Sequence, residues 1–70
     1  MLKEGKLYVN ENGRMAIDER TEFHCGDPIS VCVMGVWLDT RIEMTFDTDE
    51  WYAVGLRGMS LVGVLARCKI

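Results

Sequence analysis

The sequence predicts an all-β fold, a small antiparallel barrel of five to six short strands, on three observations. Apolar and polar residues alternate along residues 29–33 and 36–45, as on a strand with one buried face. Turn signals recur at close intervals: Asn12-Gly13, Gly26-Asp27-Pro28 and Met34-Gly35. No stretch carries the period of about 3.6 residues that marks an amphipathic helix. Closing such a sheet into a barrel removes the edges that invite aggregation.

Taken in order, residues 6–9 (KLYV) form a first strand, and Asn10-Glu11-Asn12-Gly13 a turn in which Asn-Gly supplies positive φ angles. Residues 14–18 (RMAID) return. Alternation leaves open whether Leu7 or Tyr8 faces inward. Residues 19–25 (ERTEFHC) read as a polar loop with one apolar anchor, Phe23. Pro28 opens the next strand, where a missing N–H costs no ladder bond.

The central stretch, residues 26–52, holds two consecutive hairpins. With Met34 and Gly35 as turn residues, Val33 faces Val36, Cys32 faces Trp37 and Val31 faces Leu38. Ile29, Val31, Val33, Val36, Leu38, Thr40, Ile42 and Met44 then share the core side. Ser30, Cys32, Trp37, Asp39, Arg41, Glu43 and Thr45 share the outer side. Met34 is a poor occupant of this turn, which favours Asn, Asp or Gly, so either strain or a slightly longer turn is expected there. A second turn over residues 46–50, centred on Thr48, sets Thr45 opposite Trp51, Glu43 opposite Ala53 and Ile42 opposite Val54. Tyr52, Val54 and Leu56 then face the core, and Trp51 joins Trp37 outside. A slip of one residue reverses these faces.

Leu56-Arg57-Gly58-Met59 reads as a turn. Residues 61–70 form the last strand, with Val62, Val64, Ala66, Cys68 and Ile70 inward and Leu65, Arg67 and Lys69 outward. Gly63 marks a bulge or a barrel corner.

Composition narrows the function. At 49% apolar and 27% charged residues, the chain has enough apolar content to fold as one globular domain of 70 residues. A net charge of −3 and a pI near 4.9 argue against duplex nucleic acid as the main partner, because phosphate binding needs a basic surface. No apolar run is long enough to span a bilayer. Residues 1–5 show no signal-peptide core, so the three cysteines are read as reduced thiols in a cytoplasmic protein.

The pattern Phe23-x-x-Gly26-Asp27-x-Ile29-x-Val31, followed by Gly35 and Trp37, resembles the strand entry of SH3-like barrels, Tudor-type domains included. A more specific likeness spans nearly the whole chain. It runs through His24-Cys25-Gly26-Asp27, Trp37-x-x-Thr40-Arg41-Ile42-Glu43, Trp51-Tyr52-x-Val54-Gly55-Leu56-x-Gly58, Leu61-x-Gly63 and Arg67. These blocks and their spacing resemble a family of small bacterial domains of unknown function, common in Gram-positive gut bacteria and their mobile elements. The resemblance implies an SH3-like barrel and a bacterial source, and no activity. The chain departs from that family at Met34, where Asp is usual, and at Cys68, where an aliphatic residue is usual.

The candidate binding residues are Trp37, Arg41, Glu43 and Trp51 on the outer face. Tryptophan and arginine are enriched at binding hot spots, and aromatic side chains also stack on bases. The alternative is structural: Arg41 pairs with Glu43, and both tryptophans lie under residues 19–25 or the N-terminus. An aromatic cage of Trp37, Phe46, Trp51 and Tyr52, with Asp47, Asp49 and Glu50 nearby, would suit a cationic side chain. Core packing of Phe46 and Tyr52 is the simpler expectation.

His24, Cys25, Cys32 and Cys68 supply zinc-ligand types without zinc-site spacing. His24 and Cys25 point apart in an extended chain, which disfavours a Cys-His nucleophile. The acidic turn lacks the glycine and closing glutamate of a calcium loop. Lys3, Lys6, Arg57, Arg67 and Lys69, gathered on one end of the barrel, are the one route to nucleic acid.

The sequence therefore predicts a non-enzymatic binding or adaptor module without metal or cofactor. Its expected partner is a protein, another copy of itself included. The alternatives are an accessory single-stranded nucleic-acid-binding protein and a structural subunit of a larger assembly.

Overall fold

The computed structural model describes residues 2–45, 50–56 and 58–69, and among these no residue is helical. Eight strands form: β1 (Leu2–Lys6), β2 (Tyr8–Val9), β3 (Met15–Asp18), β4 (Thr21–Glu22), β5 (Pro28–Val33), β6 (Val36–Met44), β7 (Trp51–Ala53) and β8 (Leu65–Lys69). They make two antiparallel sheets, a five-stranded one in the order β1-β8-β5-β6-β7 and a three-stranded one in the order β2-β3-β4. The all-β reading holds, with more strands than the five to six expected.

The first hairpin has the expected register throughout, from Val33 opposite Val36 to Pro28 opposite Arg41. Met34 (φ 52°) and Gly35 (φ 81°) both adopt positive φ, the geometry of a tight hairpin turn that matches strand twist. A left-handed conformation costs an ordinary residue about 1–2 kcal/mol. Met34→Asn is therefore expected to stabilise the protein by about 1 kcal/mol in urea denaturation. No gain would mean that the turn relaxes in solution.

The second hairpin slips by one residue from the expected register. Ile42 pairs with Ala53, Glu43 with Tyr52 and Met44 with Trp51. The Thr45 N–H donates to the Glu50 carbonyl at 2.9 Å, and the Glu50 N–H donates to Thr45 Oγ1 at 3.1 Å. These bonds close the hairpin around residues 46–49, so the intervening segment has an even length and not the odd length assumed. Loop parity decides which face a returning strand presents. Trp51 thus turns toward the core side with Ile42 and Ala53. Tyr52 lies outward beside Glu43, and Val54 is exposed. The Phe46, Asp47 and Asp49 expectations fall outside the described residues.

At the N-terminus, Leu7 is the inward residue (1% exposed) and Tyr8 the outward one (37%). The Asn10 side chain closes the β2–β3 turn, its Oδ1 accepting from the N–H groups of Asn12 and Arg14, each at 3.0 Å. Residues 19–25 are more ordered than a loop: β4 pairs with β3, and the Phe23 N–H donates to the Met15 carbonyl at 2.8 Å. Phe23 is buried, as its role of anchor required.

The last strand is shorter than expected. The Val64 N–H donates to the Leu61 carbonyl at 3.1 Å, which makes residues 61–64 a turn. Leu61 becomes the buried residue and Val62 is 61% exposed, which corrects the inward assignment of Val62. From Leu65 on, alternation holds: Ala66 is fully buried, and Cys68 packs against the core from the same side.

β1 carries no strand signal in the sequence. Its core-side positions are Lys3 and Gly5, while Leu2 points outward. An inward-pointing charge is one device by which an edge strand discourages further pairing. The Lys3 ammonium lies 2.8 Å from the Asp18 carboxylate, which also accepts the Arg20 N–H at 2.8 Å. The Lys3 bond first and the Arg20 N–H second pull the Asp18 carboxyl from its ordinary 3.8 to about 2. A lowered folded-state pKa adds stability that is present above the unfolded value and lost as pH falls through the folded one. Acid should therefore remove the Asp18 contribution between pH 3.8 and about 2. Lys3→Met should return the Asp18 carboxyl titration, followed by carbon NMR, toward 3.8. An unmoved midpoint would sink this assignment.

Candidate functional site

Alternation sends one set of side chains from each strand of the five-stranded sheet to its outer face. The cross-strand registers align them in rows. Glu4 lies beside Arg67, Arg67 beside Ser30 and Ser30 beside Asp39. Cys32 and Trp37 form the next row. Trp37, Arg41 and Glu43 stand on this face as expected, because β6 keeps its period through Met44.

The geometry adds a partner that local pattern does not show. The Arg67 guanidinium sits 3.8 Å from the centre of the Trp37 ring. A cation over an indole face at this distance is attracted by the ring quadrupole. Arg67 Nε also donates to Glu4 Oε1 at 2.8 Å, so two contacts hold the guanidinium in place. Next to it, the Ser30 hydroxyl donates to Asp39 Oδ1 at 2.6 Å, a short charge-assisted bond. Arg41 is exposed and, among the described residues, makes no ion pair with Glu43; the expected Arg41–Glu43 pair is absent there.

Trp51 does not belong to this face. It packs against the core, and its indole N–H donates to the Gly13 carbonyl at 2.9 Å in the β2–β3 turn. The two tryptophans therefore lie on different sides of β6 and β7. Trp51 and Trp37 cannot join in one aromatic cage, and Tyr52 shares the outer side with Trp37 instead.

β5 and β8 pair only at Ser30–Arg67 and Val31–Ala66. Beyond Ser30 the strands part, and an open hollow of about 640 Å³ is lined by Pro28, Ser30, Asp39, Arg67 and Lys69, together with Phe23.

The remaining polar candidates are scattered. His24 is exposed near Glu22 (3.6 Å) and Asp27 (3.9 Å). Cys25 is exposed, Cys32 is half-buried on the outer face, and Cys68 lies on the core side. Burial pushes the Cys68 thiol pKa up. No group of three or more His, Cys, Asp or Glu residues capable of holding a metal occurs among the described residues. Of the basic candidates, Lys3 and Arg67 are engaged by Asp18 and Glu4, and Arg57 falls outside the described residues. No helix among the described residues is long and apolar enough to cross a membrane.

Sheet and face together define a small all-antiparallel β-domain whose broad surface carries an arginine–tryptophan stack between carboxylates. The chain belongs to the family described as Domain of unknown function (DUF5348), whose model matches residues 5–68. It is also similar to a protein from Ruminococcus gnavus, a gut bacterium, known from its crystal structure. That protein is 36% identical, the match covers 94% of this chain and 100% of that one, and the TM-score is 0.70. No curated protein matches.

Proposed function

We propose that the protein is a non-enzymatic, cytoplasmic binding module of bacterial origin. In this reading it is an SH3-like barrel that docks a protein partner on the outer face of its five-stranded sheet, at Trp37, Arg67, Arg41 and Glu43. The observation that carries the reading is the Arg67–Trp37 stack, held by Glu4 at 2.8 Å. Trp and Arg dominate binding hot spots, and side chains already fixed lose less freedom on association. The hollow beside Arg67 offers a place for a partner side chain. Two packed antiparallel sheets around one core support the barrel reading. Free thiols support a reducing compartment. His24 stands in an exposed loop among carboxylates rather than against Cys32 or Cys68, which supports a role other than nucleophilic catalysis.

The test is capture of partners from a bacterial host extract by wild type, Trp37→Ala and Arg67→Ala, each checked for folding by NMR dispersion. Hot-spot truncation should weaken a specific contact by about 2 kcal/mol or more, roughly thirtyfold. Capture that survives both substitutions overturns the reading. A single-stranded oligonucleotide titration runs alongside. Binding there that falls steeply with salt would replace the protein partner with nucleic acid.

A further inference from the structure

The chain carries 8 lysines and arginines against 11 aspartates and glutamates. The outer face of the five-stranded sheet reverses that balance. Its outward strand positions hold four bases, Lys6, Arg41, Arg67 and Lys69, and three acids, Glu4, Asp39 and Glu43. Arg67 is neutralised within the protein by Glu4. The side chains of Lys6, Arg41 and Lys69 are exposed and make no ion pair or hydrogen bond among the described residues.

Two of these unpaired cations stand in one row with apolar neighbours. Leu2 lies opposite Lys69, Pro28 lies opposite Arg41, and the Val54 N–H donates to the Arg41 carbonyl at 3.0 Å. β8 and β5 are adjacent strands, and Lys69 and Pro28 line the same hollow. The row therefore runs Leu2, Lys69, Pro28, Arg41, Val54 across the sheet. Leu2 is 57% exposed, Val54 is 41% exposed, and Pro28 is exposed as well. Each cation thus has open apolar surface on both sides.

We propose that the segment this face binds is an acidic peptide segment, with carboxylates that meet Lys69 and Arg41 and apolar side chains that cover Leu2, Pro28 and Val54. The inference rests on the docking role proposed above for this face and names the chemistry of the occupant. Charge decides it. A cation without an internal counter-ion can pair with an incoming carboxylate and breaks no existing contact in doing so. The acid excess of the rest of the molecule does not cancel this attraction, because charges farther away than about 8–10 Å are largely screened at physiological salt. A nucleic acid strand fits less well. It carries a charge at every residue and would lie against Asp39 and Glu43, the outward neighbours of Arg41 along β6. A peptide can space its carboxylates to avoid them.

The experiment is an NMR titration of the whole nitrogen-labelled chain at low salt. One probe is a synthetic peptide of interspersed Asp and Leu residues, and the other is the same peptide with Asn in place of Asp. The Asp peptide should shift the Arg41, Val54 and Lys69 amides, and the Asn peptide should bind about tenfold or more weakly. Arg41→Glu and Lys69→Glu, both at exposed positions, should each weaken the Asp peptide about fivefold or more. Arg20→Glu makes the same change of charge between β3 and β4, in the other sheet, and should leave binding unchanged. No response to the Asp peptide, equal affinity for the two peptides, or equal losses in Arg20→Glu and Arg41→Glu would each overturn the proposal. So would a single-stranded oligonucleotide that binds more tightly than the Asp peptide. Partner capture lost in Trp37→Ala and Arg67→Ala, with no response to the Asp peptide, would keep the docking reading and sink this inference alone.

Discussion

Ile42→Ala is expected to cost about 2–5 kcal/mol, the range for emptying a fully enclosed aliphatic site. Ile42 is 0% exposed and sits where β5, β6 and β7 meet. Its backbone N–H and C=O are both engaged, by the Asp27 carbonyl and the Gly26 N–H, so the site has little freedom to collapse around the smaller side chain. Its neighbour across the hairpin is Ala53, also 0% exposed, whose single methyl group cannot swing into the void. A domain of 70 residues has a total stability of about 4–10 kcal/mol. The variant should thus be partly unfolded at room temperature or show a much lower urea midpoint with an unchanged slope. Ile42→Val should cost only about 0.5–1.5 kcal/mol. A loss below about 1 kcal/mol for the alanine variant would show that the core at this point is loosely packed.

The second large effect is expected at Gly5. It lies on β1, on the side that crosses β3. A methyl group there would stand 2.7 Å from the Ile17 carbonyl oxygen and 3.1 Å from Ile17 Cβ. The nearer atom is backbone, in a strand held by partners on both sides, so no rotamer change relieves the contact. Overpacking of this kind costs about 1–3 kcal/mol. Gly5→Ala should lower the thermal midpoint and raise amide exchange along β1 first, because β1 is an edge strand bonded only to β8. Uniform exchange along β1 with no loss of stability would mean that β1 and β3 lie farther apart in solution.

Both sites show how far local pattern reaches. Ile42 was legible as core from the alternation of β6. Gly5 was not legible, because nothing in Leu2-Lys3-Glu4-Gly5-Lys6 alternates in the usual sense. The inward positions of that strand hold a lysine that finds Asp18 and a glycine that lets two strands touch. β4 is illegible for a related reason: Thr21–Glu22 is two polar residues long, and only pairing with β3 makes it a strand.

The candidate face divides in the same way. Trp37, Arg41 and Glu43 were readable as outward because the Met34-Gly35 turn sets their register locally. Trp51 was misplaced because the second turn is longer and both Ala53 and Val54 are plausible core residues, so a slip cost nothing in the pattern. Arg67 was readable as outward, but its contact with Trp37 depends on β5 lying between β6 and β8.

By itself the sequence determined the fold class, the first hairpin to the residue, the poor fit of Met34 to its turn and the outward side of β6 and β8. These rest on interactions among near neighbours, where side-chain period and turn chemistry leave one solution. Tertiary structure decided the parity of the second hairpin, the existence of β1 and β4, the removal of Trp51 from the outer face, and the stack of Arg67 on Trp37. Each of these depends on which distant strand lies alongside, and that is settled by core volume and by close backbone contacts such as Gly5 on Ile17, which no local pattern encodes.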